Sequence, residues 1–297
     1  MTRPPEILCI GAALWDVIGR TTRTMPPGAD MPGRMTRHPG GVALNIALAL
    51  ARQGLRAGLL AAVGRDAPGE ALVAESAAQG VETGFLTRPE TLPTDTYMAI
   101  EDPGGLIAAI ADSHTLEAVG LEILAPLADG RLGSEAAAFS GMIALDGGLG
   151  AAQLAALAEA PILAGADLRL VPASTGKATR LAPFLQRPGT CFYVNRMEAE
   201  LLCEAAFPDA GAAAQAMLAH GAARAIVTDG ARAATDATAQ GLITLPPPKV
   251  QPRRVTGAGD SFMAAHMAQE WRGASRSDAL AHALRIAADH VASQPET

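Results

Sequence analysis

Short aliphatic runs recur along this chain, each too brief for a helix and most followed by a longer alanine-rich stretch. That rhythm restricts the fold more than any other feature. Glu6 to Ala13, Ala57 to Val63 and Ala225 to Thr228 read as buried strands, because a brief apolar run ended by glycine or a turn is the mark of a central parallel strand. Ile46 to Gln53, Pro68 to Gln79, Ser261 to Trp271 and Ser277 to Ala292 read as helices, the first two closed by Gly54 and Gly80. From Thr115 the alternation continues through Ala136 to Leu145, Ala151 to Glu159, Asp167 to Pro172 and Lys177 to Leu185, reaching a strand at Thr190 to Val194. Repeated strand–helix units build an α/β fold, a mostly parallel sheet with helices on both faces. A composition of 49% hydrophobic but only 3% aromatic residues suits aliphatic strands under Ala-rich helices.

Two segments break the rhythm. Val17 to His38 carries Pro26, Pro27, Gly28, Pro32 and Gly33 among Thr and Arg, which suits an edge hairpin or flap. Thr94 to Ile100 and Leu106 to Ile110 flank Asp102-Pro103-Gly104-Gly105, the pattern of a β-hairpin. Together they are expected to form a small sheet that lies over a crevice as a lid and excludes water from it.

In an open parallel sheet the crevice lies at the carboxyl ends of the strands. Asp16 is expected where the first strand opens into a loop, either accepting hydrogen bonds from substrate hydroxyls or standing in a surface turn. Its neighbour Trp15 reads as packing. Gly40-Gly41 opens a helix in which Asn45, one turn in, donates and accepts at once; the glycines admit a ligand or simply a neighbouring strand. Asn195-Arg196-Met197-Glu198 sets an amide and a carboxylate one helical turn apart, which suits the water shell of Mg²⁺ and equally a helix cap. Thr228-Asp229-Gly230 ends a later strand, where phosphate or ribose is within reach.

The sharpest feature is Val255-Thr256-Gly257-Ala258-Gly259-Asp260. Two glycines flanking an alanine let several N–H groups converge where a helix begins, and that makes an anion site. A carboxylate beside such a nest gains nothing for pure binding but serves an acid–base catalyst. The combination points to phosphoryl transfer. The plainer alternative is a glycine turn whose Asp caps the helix.

Composition narrows the partners. With 23 Lys and Arg against 30 Asp and Glu, a formal charge of -7 argues against a nucleic-acid partner. Cys9, Cys191 and Cys203 are scattered and fit a reducing cytoplasm, and none of the 6 His shows metal-ligand spacing. The apolar run Ile7 to Trp15 is too short to span a membrane.

Taken in order, these residues resemble the ribokinase-like sugar and nucleoside kinases, the PfkB family. One signature runs from Gly40-Gly41 through Ala43, Asn45 and Ala47 to Gly54 and Gly64, a spaced match over about 25 residues that is far more specific than a lone Gly-x-Gly. Asp16, Asn195-x-x-Glu198, Thr228-x-Gly230 and Gly257-Ala258-Gly259-Asp260 follow the family's order. The resemblance implies one kinase domain over residues 1–297, a three-layer α/β/α core with lid segments at about 14–38 and 92–112. It also implies transfer of the ATP γ-phosphoryl group to a primary hydroxyl. Asp260 would then take the hydroxyl proton while the N–H groups of Gly257, Ala258, Gly259 and Asp260 stabilise phosphoryl charge. Asp16, Gly41 and Asn45 would grip the acceptor with Tyr97 or Trp15 facing its base. Thr228, Gly230, Thr256 and Asn195 would hold the nucleotide, and Asn195 and Glu198 the waters of Mg²⁺.

Within the family, the lid, the Asn195-Arg196-x-Glu198 stretch and the Val255–Asp260 turn are most similar to the pseudouridine kinases. A free-sugar kinase of the ribokinase or fructokinase type is the alternative, and a catalytically silent nucleoside-binding relative the alternative of another class. Homodimerisation through the lid is common in the family. Five positions depart from its pattern: Arg254-Val255 stands where many members have Asp-Thr, which leaves activation by K⁺ in doubt, and Leu14, Val171 and Ala233 replace Asn, Asp and Gly.

Overall fold

A computed structural model of the chain describes residues 4–134 and 136–293, so the outermost expected bounds, 1 and 297, lie outside the described residues. The chain starts with β1 (Ile7–Ile10), leaves the main sheet through β2 (Leu14–Arg20) and β3 (Arg34–Gly40), and returns by α1 (Val42–Arg52) to β4 (Ala57–Leu60). After α2 (Ala67–Ala78) comes the hairpin β5 (Thr96–Asp102) and β6 (Gly105–Asp112), then α3 (His114–Val119) and β7 (Met142–Asp146). Helix α4 (Ala151–Glu159), β8 (Asp167–Val171), β9 (Cys191–Asn195), α5 (Arg196–Cys203), α6 (Ala210–Ala219) and β10 (Arg224–Asp229) continue the alternation. β11 (Arg232–Thr238), β12 (Gly241–Leu245), α7 (Ala258–Trp271) and α8 (Arg276–Ala292) complete it.

The large sheet has the order β12-β11-β10-β9-β8-β7-β1-β4 and is parallel from β10 to β4. Its strands separate their side chains to two sides. Ile7 and Cys9 join a cluster with α1, α7 and α8, while Leu8 and Ile10 join one with α3 to α6. A strand covered on both faces needs no polar alternation, which is why β1 reads as an unbroken apolar run. The expected three-layer α/β/α core is therefore present.

Segments 14–38 and 92–112 supply the strands of the second sheet, in the order β3-β2-β5-β6. One of its faces looks into the crevice. The other carries Met35, Met98, Ile100 and Ile110, with Met35 and Ile110 70% and 71% exposed.

Three expectations need correction. Trp15 and Asp16 are not in a loop: the first strand breaks at Gly11, whose φ of 141° suits glycine, and both residues belong to β2. Lys177 to Leu185 lies in a 3₁₀ segment, Thr175–Gln186, where Pro183 removes an amide that a regular helix would need. The antiparallel pair β11 and β12 was not foreseen, because Arg232-Ala233-Ala234-Thr235-Asp236-Ala237-Thr238 lacks the apolar run that marked the other strands.

Candidate active site

A cavity of about 640 Å³ opens between the carboxyl ends of the large sheet and the inner face of the small one. Asp16, Gly41, Asn45, Tyr97, Asn195, Glu198, Thr228, Thr256, Gly257, Gly259 and Asp260 all line it. Three of the expected site residues do not, the first being Trp15, which is buried with its Nε1–H on the Pro68 carbonyl at 2.8 Å. Gly230 stands outside the lining, in the β10–β11 turn with φ 58°. Ala258 begins α7, but its N–H turns back onto the Val255 carbonyl at 3.1 Å and so does not face an anion.

The nest is built by Gly257, which adopts φ 82° as the N-cap of α7. The first N–H groups of a helix have no partner within it, and with Ala258 occupied, those of Gly259 and Asp260 are what the turn presents. Asp260 sits in the first turn, and its Oδ2 accepts a hydrogen bond from the Asn45 amide at 2.8 Å. Thus the two residues that sequence placed 215 positions apart meet at one point. Burial pushes the Asp260 carboxyl up to about 7; the Asn45 amide opposes this, while the charges of Asp146, Asp16 and Glu198 add to it. Burial likewise lifts Asp16 to about 6 against the pull of Arg254. Tyr97 is raised by burial and by Asp16, its cross-strand neighbour.

Glycines hold the Asp16 side of the cavity open. Gly41, at φ 91°, caps α1, and a Cβ there would strike the Ala12 carbonyl. A Cβ on Gly40 would fall inside the Asp16 carboxylate. Gly40→Ala is therefore expected to swing Asp16 aside and raise the acceptor KM at least about tenfold, the scale of one lost charged hydrogen bond. Steady-state kinetics beside a thermal melt checks this, and an unchanged KM would contradict the placing of Asp16.

Asn195 and Glu198 form a reciprocal capping box at the start of α5: the Asn195 side chain accepts from the Glu198 N–H at 3.0 Å, and Glu198 Oε2 accepts from the Asn195 N–H at 2.8 Å. The helix-cap reading of this pair is thus the one its hydrogen bonds show. One Glu198 oxygen and the Asn195 amide nitrogen remain uncommitted by the box, and burial raises the Glu198 carboxyl. Among the described residues no group of three or more His, Cys, Asp or Glu is arranged to cage a metal.

Sequence reasoning missed two supports. Asp146, buried at the end of β7, accepts from the N–H groups of Ala12 and Ala43 at 2.9 Å each and of Gly148 at 2.7 Å, pinning two loops and the start of α1 together. His290, in the last turn of α8, donates Nε2–H to the Thr256 carbonyl at 2.8 Å, and its Nδ1 lies 3.1 Å from the Ser261 hydroxyl. It therefore clamps the turn that forms the nest. Farther along α7, Glu270 joins Arg169 at 2.6 Å and Arg224 at 2.7 Å, fixing the helix that carries Asp260 against β8 and β10.

Comparison with known proteins identifies the family and the fold. The profile of the pfkB family carbohydrate kinases matches residues 4–294. Pseudouridine kinase of Escherichia coli (strain K12) is 32% identical over 126 residues, which is 42% of this chain and 40% of that protein. The chain spans 27–40% of the length of the curated relatives it matches. Among solved structures, a carbohydrate kinase from Agrobacterium tumefaciens superposes with a TM-score of 0.79 at 25% identity, covering 96% of this chain and 90% of its own. Arabidopsis thaliana ribokinase complexed with ribose and ATP superposes at 0.76 with 18% identity, over 97% of this chain and 93% of its own, and shares the fold. With the family profile running over nearly its whole length, this chain belongs to the pfkB family of carbohydrate kinases.

Proposed function

We propose that this chain is an ATP-dependent kinase that transfers the γ-phosphoryl group to the 5′-hydroxyl of pseudouridine. One observation carries the reading: a carboxylate raised toward neutrality stands at the mouth of a helix-terminal nest and is held there by Asn45. The name of the E. coli relative supports the nucleoside, and the bound ligands of the Arabidopsis ribokinase support the nucleotide.

In this reading Asp16 accepts from the ribose 2′- and 3′-hydroxyls and Asn45 Oδ1 from a neighbouring one. The 5′-hydroxyl is left against Asp260, which takes its proton as the new oxygen–phosphorus bond forms and the bond to the ADP oxygen breaks. The Gly259 and Asp260 N–H groups meet the phosphoryl oxygens, so the protein contributes positioning and electrostatics. The Asn195 and Glu198 oxygen and amide groups suit the water shell of Mg²⁺, an ion held mainly by phosphates and water. When bound, it supplies charge neutralisation to the phosphates. Thr228 and Thr256 face the nucleotide side.

Because Asp260 must be ionised to accept a proton, and burial raises its pKa to about 7, kcat/KM for the acceptor is expected to fall about tenfold per pH unit below that value. A rate profile flat from pH 8 to pH 5 would remove the assigned base. Substrate identity is tested by ADP release with pseudouridine, uridine, adenosine, ribose and fructose. Pseudouridine is expected to lead by at least about tenfold in kcat/KM. Preference for a free sugar would overturn the nucleoside reading, and absence of ADP release with every acceptor would favour a silent binding relative.

A further inference from the structure

The cavity extends beyond what a pentose fills, and its far end carries polar groups that the phosphoryl-transfer reading does not use. Asp16, Tyr97 and Ala111 are cross-strand partners on β2, β5 and β6, and all three line the cavity. Two strand spacings separate the first from the last, roughly 10 Å. That row is about as long as a sugar joined to a six-membered heterocycle. A free pentose covers only its first part.

Two residues past Ala111, Ser113 follows β6, and Lys177 reaches it from the 3₁₀ segment after β8 with Nζ 3.4 Å from Oγ. Both residues line the cavity. The contact is longer than a strong hydrogen bond, so it leaves the ammonium protons and the serine proton available to a ligand. The Lys177 ammonium acts electrostatically on buried Asp146, drawing its carboxyl down against the effect of burial, but forms no ion pair with it. Asp112 lies 2.7 Å from the His114 ring nitrogen, Glu117 is paired with Arg180 at 3.0 Å, and Asp146 is occupied by three backbone N–H groups. Among the described residues Lys177 makes no ion pair. Ser174 and Thr175 line the cavity beside Lys177, and Ala111 and Val171 add apolar surface to its wall.

We propose that Lys177 and Ser113 form the subsite that reads the end of the acceptor remote from its reacting hydroxyl, donating to a ring carbonyl oxygen of a pyrimidine-type base. Two adjacent donors in the cavity wall match a flat ring edged with carbonyl acceptors. The assignment rests on the kinase reading and makes these two side chains the determinants of nucleoside over free sugar. A sugar acid would offer similar acceptor oxygens, and the test separates it.

The experiment compares the wild-type chain with Lys177→Met and with Lys177→Met/Ser113→Ala, using ADP release with pseudouridine, ribose and an aldonic acid, and calorimetric titration of pseudouridine without nucleotide. Lys177→Met is expected to raise the pseudouridine KM and Kd roughly 10- to 100-fold, the scale of a lost charged hydrogen bond, with the double variant weaker still. The ribose KM should shift by less than about threefold, since a pentose ends short of the subsite. Equal losses on all acceptors, an unchanged pseudouridine Kd, or a larger loss on the aldonic acid would overturn the proposal. Wild-type protein that releases no ADP with any acceptor would instead refute the kinase reading, and the titration would still decide the subsite.

Discussion

Asp260→Asn is expected to lower kcat by at least about 10³ while leaving ATP affinity nearly unchanged. The amide keeps the shape and can still meet the Asn45 side chain, but it accepts no proton from an alcohol. The same substitution should stabilise the fold at pH 8. A carboxyl whose folded pKa is raised binds its proton more tightly folded than unfolded, so stability is gained as pH falls through about 7 toward the ordinary carboxylate range. Above pH 7 the ionised group is a burden that asparagine lacks. We expect a Tm higher by roughly 2–4 °C at pH 8, the effect of about 1 kcal/mol in a chain of this size. The gain should fade toward pH 5, where the wild-type carboxyl carries its own proton. A variant within tenfold of wild-type kcat would reject Asp260 as the base.

Asp146→Ala is expected to produce the largest loss of stability. Its removal strands the N–H groups of Ala12, Ala43 and Gly148, all three of them buried, and leaves a small void. Each orphaned donor costs about 1–3 kcal/mol, so a total of about 4 kcal/mol and a Tm lower by about 10 °C follow. Because these loops carry Gly41 and the start of α1, the acceptor KM should rise with the loss. Thermal melting with and without a saturating acceptor measures both effects, and a Tm within about 2 °C of wild type would show that these N–H groups find other partners.

What the sequence disclosed and what it hid follow one physical division. Interactions within a turn or two leave a local mark, so the Gly257 nest, the Asn195–Glu198 box and the opening of α1 at Gly41 were legible. The β1 core strand and the hairpin around Pro103-Gly104 were legible for the same reason. Asp146 was not, because its partners lie up to 134 residues away and nothing in Leu145-Asp146-Gly147 distinguishes a pin from a turn. His290 was hidden similarly: histidines were searched for metal spacing, whereas this one serves as a hydrogen-bonding clamp across 34 residues. Ala258 failed as an anion donor because its own turn uses its N–H, a detail of backbone path that Gly-Ala-Gly does not specify. Arg254, at a position where many members of the family were expected to carry Asp, acts electrostatically on Asp16, a long-range effect that the local sequence does not disclose.

The most direct test of the account measures ADP release at pH 8 with saturating Mg-ATP and pseudouridine for wild type and Asp260→Asn side by side, with phosphorus–proton NMR of the product. The account predicts one ADP per phosphomonoester, the phosphorus on the 5′-oxygen, and turnover at least about 10³ lower in the variant. Equal turnover in the two proteins, or phosphate on a secondary hydroxyl, would contradict it.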